Sequence, residues 1–275
     1  MIDKLVDGRG YTVYEQVDGK HKHTVFQSLL SDFKDLCAER TRYTLFGEVP
    51  KRENDAAACG TGVHAGIETT LKRVKEGKDP DWDEALQSIY DAVGQIDINA
   101  WTKFTSKKAL LLQAEQHFSR WWTQVRDLIK PEEIEWKFSL PLHEDDERLI
   151  VAEGTIDLVD YVKGLVDWKT GSRPYQQREK QKSALQPTMY TWARTEHTGQ
   201  FHGRFTYFVM VPDKPQVQEL TVLRTVNDWA YLKKVALGYA QLVEKNLPVW
   251  PMNDSGWWCS DRWCPAWHLC KGKAG

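Results

Sequence analysis

Hydrophobic positions change their period twice along the 275-residue chain. Residues 1–24 are polar, with glycines and short turns, and predict an arm or a small hairpin. From Val25 the segment VFQSLLSDFKDLCAERTRYTLF carries Leu29, Phe33 and Leu36 at helical intervals. A Gly-, Pro- and charge-rich break, GEVPKREND, precedes a second helix, AAACGTGVHAGIETTLKRV, with His64 in it and Ile67 and Leu71 on its apolar side. Residues 81–129 predict further helix, split near Asn99 to Ser106. The period then falls to two: Ile134, Trp136, Phe138 and Leu140 alternate as in a half-buried strand. RLIVAEGTIDLVDYV and GLVDWKT extend this into a strand meander. The polar stretch GSRPYQQREKQKS leads to a helix through ALQPTMYTWARTEH, then to strands GRFTYFVMV and VQELTVL. A helix from about Val226 to Lys245 and a Pro/Trp/Cys-rich tail end the chain. The order predicts an α/β fold, a mixed central sheet flanked by helices.

Composition narrows the function classes. Hydrophobic residues at 41% and charged residues at 28% exclude wholesale disorder. A net charge of -2 excludes a protein that coats nucleic acid by bulk positive charge, but not a nuclease, whose metal site is itself acidic. No stretch approaches the roughly 18 apolar residues of a membrane span, and the N-terminus lacks a signal-peptide core, so a cytoplasmic protein without a membrane partner is expected. In a reducing compartment the five cysteines do not predict disulfides. Cys37 and Cys59 lie early, whereas Cys259, Cys264 and Cys270 crowd the last 17 residues.

The strongest chemistry lies in GTID and VDWKTG. Asp157 and Asp167 fall on neighbouring strands, and Lys169 shares a face with Asp167 because strand side chains alternate. Carboxylate oxygens suit Mg²⁺ or Mn²⁺, and a lysine beside them can orient or deprotonate an attacking water and offset developing phosphorane charge. Together they make a kit for metal-assisted phosphodiester hydrolysis. An acidic-x-Lys triplet starts at five positions, Asp18, Asp32, Glu76, Glu135 and Asp167. Only Asp167 combines an apolar strand before it, an acidic partner upstream and a turn and helix after it. Glu135 also lies on a strand, without an upstream acidic partner, and is expected at the margin of the site.

GTID, VDWKTG and the following QPTMY resemble the RecB-type branch of the PD-(D/E)XK nuclease superfamily, which pairs such strands and places Gln-x-x-x-Tyr on the next helix. The resemblance implies a restriction-endonuclease-like core in which Gln186 and Tyr190, on one helical face, contact DNA or trim the metal site. It further implies that His64, within GTGVHAGIE, joins Asp157, Asp167 and the Trp168 carbonyl around a divalent metal. The chain is similar in particular to iron–sulfur nucleases of that branch, AddB-type subunits and CRISPR-adaptation nucleases. These supply one cysteine before the histidine and three from the C-terminal end. By that likeness Cys37, Cys259, Cys264 and Cys270 hold a [4Fe–4S] cluster. The spacing here is C-x4-C-x5-C rather than the usual C-x2-C-x5-C, and zinc at the same four thiols is the alternative, with His268 or Cys59 able to replace one ligand. Cys59 otherwise reads as a buried thiol.

The implied organisation is an arm over 1–24, a mainly helical part over 25–130 carrying Cys37 and His64, a nuclease core over 131–246, and a tail over 247–275 that closes the cluster with Cys37. The implied activity is that of a metal-dependent DNA exonuclease preferring single-stranded or end-containing DNA, in recombination, repair or phage DNA metabolism. Arg173, Arg178, Lys180 and Lys182 are candidate phosphate contacts, with Tyr175 a candidate for stacking on a base. Three other readings stand beside this one. They are a DNA-end-binding recombination-complex subunit whose cutting depends on a helicase or recombination partner, a structure-specific endonuclease, and a structural protein with a zinc-tied tail. A bacterial or bacteriophage-infected cell suits a small stand-alone enzyme of this type.

Overall fold

The computed structural model describes residues 3–7, 10–49 and 53–271; Pro50, Lys51 and Arg52 of the predicted break lie outside them. The chain opens with strands β1 (Lys4–Val6), β2 (Thr12–Val17) and β3 (Lys20–Phe26). Helix α1 (Gln27–Ser31) runs through a π turn (Asp32–Leu36) to α2 (Ala38–Leu45). Then come α3 (Asp55–Lys75), α4 (Trp82–Gly94), α5 (Lys107–Gln124) and strands β4 (Pro131–Glu144), β5 (Arg148–Asp160) and β6 (Gly164–Thr170). Helices α6 (Gln177–Ser183) and α7 (Leu185–Thr198), strands β7 (Arg204–Met210) and β8 (Gln218–Leu223), and helices α8 (Val226–Lys245) and α9 (Trp267–Cys270) complete the order. Among the described residues no helix is long and apolar enough to cross a membrane.

Among the described residues eight strands join one mixed sheet, in the order β1-β2-β3-β5-β6-β7-β8 with β4 also paired to β5. Of the arm or small hairpin expected over residues 1–24, the described residues form the hairpin, β2 and β3 pairing antiparallel from Tyr14↔His23 to Val17↔Lys20. It is built into the sheet: β3 pairs in parallel with β5 from His21↔Arg148 to Phe26↔Glu153. The polar appearance of β3 hid this, because His23 is fully buried yet bonded through Nε2 to Glu244 Oε1 at 2.9 Å. The single helix expected from Val25 is likewise divided. Val25 and Phe26 finish β3, and Cys37 is extended (φ -162°, ψ 121°), separating the π turn from α2.

Helices cover both faces. Ala58, Val63 and Ile67 of α3 pack with Ile89 of α4, Phe118 of α5 and Trp168 of β6 in one core. On the other face Met189 and Trp192 of α7 and Tyr239 of α8 pack against Ile150, Ala152 and Phe205. Helix α3 approaches α4 so closely that a Cβ on Gly62 would lie 2.8 Å from Val93 Cγ2, and one on Gly66 2.8 Å from Ile89 Cγ1. The small residues around His64 thus seat α4 and hold the histidine's helix in place.

Strand β5 sets up the site. Its pairing with β4 from Leu149 to Asp160 occupies one edge along the strand's length. The other edge is divided: β3 takes residues 148–153, and β6 takes only Leu158, Val159 and Asp160. Between these pairings, at residues 154–157, β5 has no strand beside it on that edge, and β6 runs on from Asp167 to Thr170 paired with β7 alone. GTID lies in this fork.

Candidate active site

Three elements clamp one peptide unit at the fork. Asp157 Oδ2 on β5 accepts a hydrogen bond from Trp168 N at 3.0 Å, standing in for the ladder bond lost as β5 and β6 part. His64 on α3 places Nε2 2.7 Å from the Trp168 carbonyl and Nδ1 3.3 Å from Asp157 Oδ2. The Trp168 ring anchors this peptide from below, buried in edge contact with Trp121 and tilted against Phe208.

Asp167, only 2% exposed, points the opposite way from Trp168, towards α7. Its Oδ1 accepts from Lys169 Nζ at 2.9 Å and from Gln186 Nε2 at 2.5 Å. Burial raises the Asp167 pKa; Lys169 opposes that rise and the neighbouring Asp157 adds to it. For Lys169 burial acts downward, but the Asp167 and Asp157 carboxylates outweigh it and the ammonium is held above its ordinary range. Tyr190, one turn beyond Gln186, is a buried ring in edge contact with Phe138. Both rings press on Gly154, where a Cβ would meet Phe138 Cζ at 2.8 Å and Tyr190 Cε1 at 3.4 Å. The glycine of GTID is the space those rings need.

Two further carboxylates line the cleft with His64 and Lys169, namely Glu68 and Glu135. Glu135 sits opposite Asp157, between the paired Ile134 and Trp136, with a left-handed backbone at φ +50° that a non-glycine residue rarely adopts. Burial first, then Asp157 and Glu68, pushes its carboxyl pKa up to about 7. Glu68 escaped the sequence reading; its spacing of one helical turn from His64 was the available signal.

The candidate basic stretch divides. Arg173, Arg178 and Lys182 are exposed. Lys180 is half-buried with Nζ 4.0 Å from the Tyr175 ring centroid, and burial lowers its pKa. One face of Tyr175 is thus covered by Lys180, and the ring meets Tyr207 edge-on at 5.4 Å. Glutamines of α6 dock on the outer edge of β8: Gln177 Nε2 donates to Thr221 O, and Gln181 exchanges bonds with both Leu223 O and Leu223 N. Buried Arg224 then donates to the carbonyls of Lys180, Gln181 and Ala184, ending α6 and setting where α7 begins.

At the chain's end, Trp250 N donates to Glu39 Oε2 at 2.7 Å and Asn253 N donates to Cys37 Sγ at 3.4 Å, tying the tail to α2. Cys37, Cys259, Cys264 and Cys270 all line one small, apolar cavity. His268 is exposed, and Cys59 is buried in the α3 core, where burial pushes its thiol up to about 11.

A family model for the PD-(D/E)XK nuclease superfamily matches residues 36–271. The chain belongs to that superfamily. The mixed sheet with helices on both faces is consistent with a PD-(D/E)XK nuclease fold. Among solved structures, the nuclease is similar to the crystal structure of SSO0001, with 12% identity, 90% of this chain and 97% of that one covered, and a TM-score of 0.38. No curated protein matches its sequence.

Members of the superfamily typically use divalent metals, and the donors here suit one. The imidazole, two carboxylates and a carbonyl are hard or intermediate ligands, and buried Asp167 Oδ2 has the Lys169 ammonium 2.7 Å away as its ion-pair partner. His64, Asp157 and the Trp168 carbonyl touch one another, whereas Asp167 turns to Lys169 and Gln186. Among the described residues no three His, Cys, Asp or Glu side chains form a group that could hold an ion.

Proposed function

We propose that this nuclease is a divalent-metal-dependent deoxyribonuclease of the RecB-like iron–sulfur branch, acting as an exonuclease on single-stranded or end-containing DNA. The observation that carries the reading is the clamped Trp168 peptide, with Asp157 on its N–H, His64 on its carbonyl, and the Asp167–Lys169 pair on either side. Asp157, Asp167, His64 and the Trp168 carbonyl would hold Mg²⁺ or Mn²⁺. A bound ion supplies Lewis-acid polarisation of the phosphate and makes water a better nucleophile at neutral pH. Lys169, an ammonium donor bonded to Asp167, orients the attacking water and stabilises charge developing on the phosphorus oxygens. Gln186 holds Asp167 in its rotamer, and Tyr190 with Gly154 keeps the floor of the fork closed to side chains.

The cluster assignment rests on the family likeness: Cys37, Cys259, Cys264 and Cys270 line one cavity but among the described residues do not form a group close enough to hold an ion. The cluster's role would be structural rather than catalytic. On this reading the domain plan keeps its helical part, core and tail, with the first strands added to the core. DNA is the partner. A recombination setting with a helicase supplying single strands fits the substrate.

The test is incubation of anaerobically purified protein with end-labelled linear and circular single-stranded DNA, in Mn²⁺ or EDTA. Mn²⁺-dependent loss of the linear form alone is expected. Asp167→Ala and Lys169→Ala should each lower the rate by at least about a thousandfold while DNA binding survives. Full activity of Asp167→Ala refutes the site, and cutting of the circle replaces the exonuclease with an endonuclease.

A further inference from the structure

Tryptophans in the tail are exposed without a core to explain them. Trp257 is 69% and Trp263 42% exposed, their ring centroids 5.5 Å apart at 85°. Surface rings are common singly, but a paired cluster this open is an apolar patch that asks for an occupant. Shielding of the cysteines accounts for Trp258 and Trp267, which line the thiol cavity; Trp257 and Trp263 do not line it.

What they line instead adjoins the catalytic strand. Trp257 and Trp258 close a cleft whose other walls include Lys169, Gln186 and Lys180. The same two rings, with Trp263, line a second cleft that reaches Thr170, Lys103 and Arg262. Lys169 and Thr170 are consecutive, so the two clefts meet at the end of β6, with the tryptophans astride the junction. Cations accompany the rings: the Arg262 guanidinium lies 5.0 Å from the Trp263 centroid, and exposed Lys103 is carried on a loop whose backbone N–H groups are bonded to Asp55. Open aromatic faces interleaved with Lys and Arg, continuous with a phosphodiester site, match a single strand, whose bases are free to stack and whose phosphates need cations. A duplex offers its bases only edge-on.

Resting on the nuclease reading above, we infer that Trp257 and Trp263 form a base-stacking platform that leads single-stranded DNA across the tail to Lys169. The tail thereby becomes part of the substrate path as well as a closure for the chain ends.

The inference is tested by binding in EDTA, where no cutting occurs. Fluorescent oligothymidylate and a blunt duplex of equal length are titrated with the wild type, Trp257→Ala, Trp263→Ala and, as a control, Tyr161→Ala, an exposed aromatic at the opposite end of β6. Each Trp→Ala variant should bind oligothymidylate about five- to thirtyfold more weakly, as loss of one stacked base predicts, with duplex binding little changed and the control like wild type. Trp257→Phe and Trp263→Phe, which keep an aromatic face, should retain most of the affinity and lose part of the tryptophan quenching that the oligonucleotide causes. Wild-type affinity in both Ala variants, unaltered quenching in both Phe variants, or an equal loss on the duplex overturns the platform. Absence of Mn²⁺-dependent cleavage by the wild type strikes the nuclease reading instead and leaves the binding result to judge the platform alone.

Discussion

Asp55 ties the start of the histidine helix to the loop that follows α4. Its carboxylate, fully buried at the start of α3, accepts from Ala56 N at 2.9 Å, Thr102 N at 3.1 Å, Thr102 Oγ1 at 3.0 Å, Lys103 N at 2.7 Å and Phe104 N at 2.6 Å. That one group holds residues 102–104 of the loop between α4 and α5 against the start of α3, beside the backbone bond from Asp55 N to Ala100 O. Asp55→Ala strands these donors. Lys103 and Phe104 make the two shortest bonds; at about 1.5–2 kcal/mol for each bond to a charged acceptor, their loss costs roughly 3–4 kcal/mol. With a urea slope of about 3 kcal/mol per molar, the unfolding midpoint should fall by about 1 M at pH 7. Burial pushes the Asp55 pKa up, but the four hydrogen bonds from Phe104, Lys103 and Thr102 outweigh it, and the native value lies below the ordinary one. A depressed native pKa contributes stability that is complete above the unfolded value of about 3.9 and is lost as pH falls through the native one. The gap between wild type and Asp55→Ala should therefore be widest near neutrality and close in acid. A midpoint shift under about 0.2 M at pH 7, or a gap that stays constant into strong acid, would refute the reasoning.

Three other substitutions probe the site's supports. Gln186→Ala removes the 2.5 Å bond to Asp167 and should lower kcat by about ten- to a hundredfold with KM little altered, read in single-turnover cleavage. Gly66→Ala drives a Cβ to 2.8 Å from Ile89 Cγ1 and 3.2 Å from the Ala85 carbonyl, and should cost about 1–3 kcal/mol in urea unfolding, with partial recovery in the Gly66→Ala, Ile89→Val double variant. Cys264→Ser should lower Tm and bound metal more than it lowers the rate per folded molecule; a soluble, fully active, metal-free variant would contradict a cluster at those thiols.

Residues that act together were legible where the chemistry repeats at short range. Asp167 and Lys169 two apart on an apolar strand, and Gln186 and Tyr190 four apart on a helix, announce a shared face, and the structure brings Asp167, Lys169 and Gln186 into contact. His64 was placed by family likeness, since a lone helical histidine carries no such signal, and it lies against Trp168 and Asp157. What escaped was hidden by pairing across the chain. KHKHTVF looks like surface because the partner that lets His23 be buried, Glu244, lies 221 residues away. Glu135 read as marginal because nothing in EWK reports its left-handed backbone or its position opposite Asp157. Trp257 and Trp263 read as tail composition until their distance from the core was known.

The divided edge of β5 bears on how the molecule could be shortened. The superfamily match begins at residue 36, yet residues 21–26 cover half of that edge, and His23 and Arg148 both bond to Glu244. A protein begun at residue 36 would bare a run of unpaired backbone groups from Arg148 to Glu153, immediately before GTID. Such an edge recruits strands from other molecules. The segment outside the match thus guards the fork that holds GTID against self-association, and a trimmed protein would fail first by aggregating.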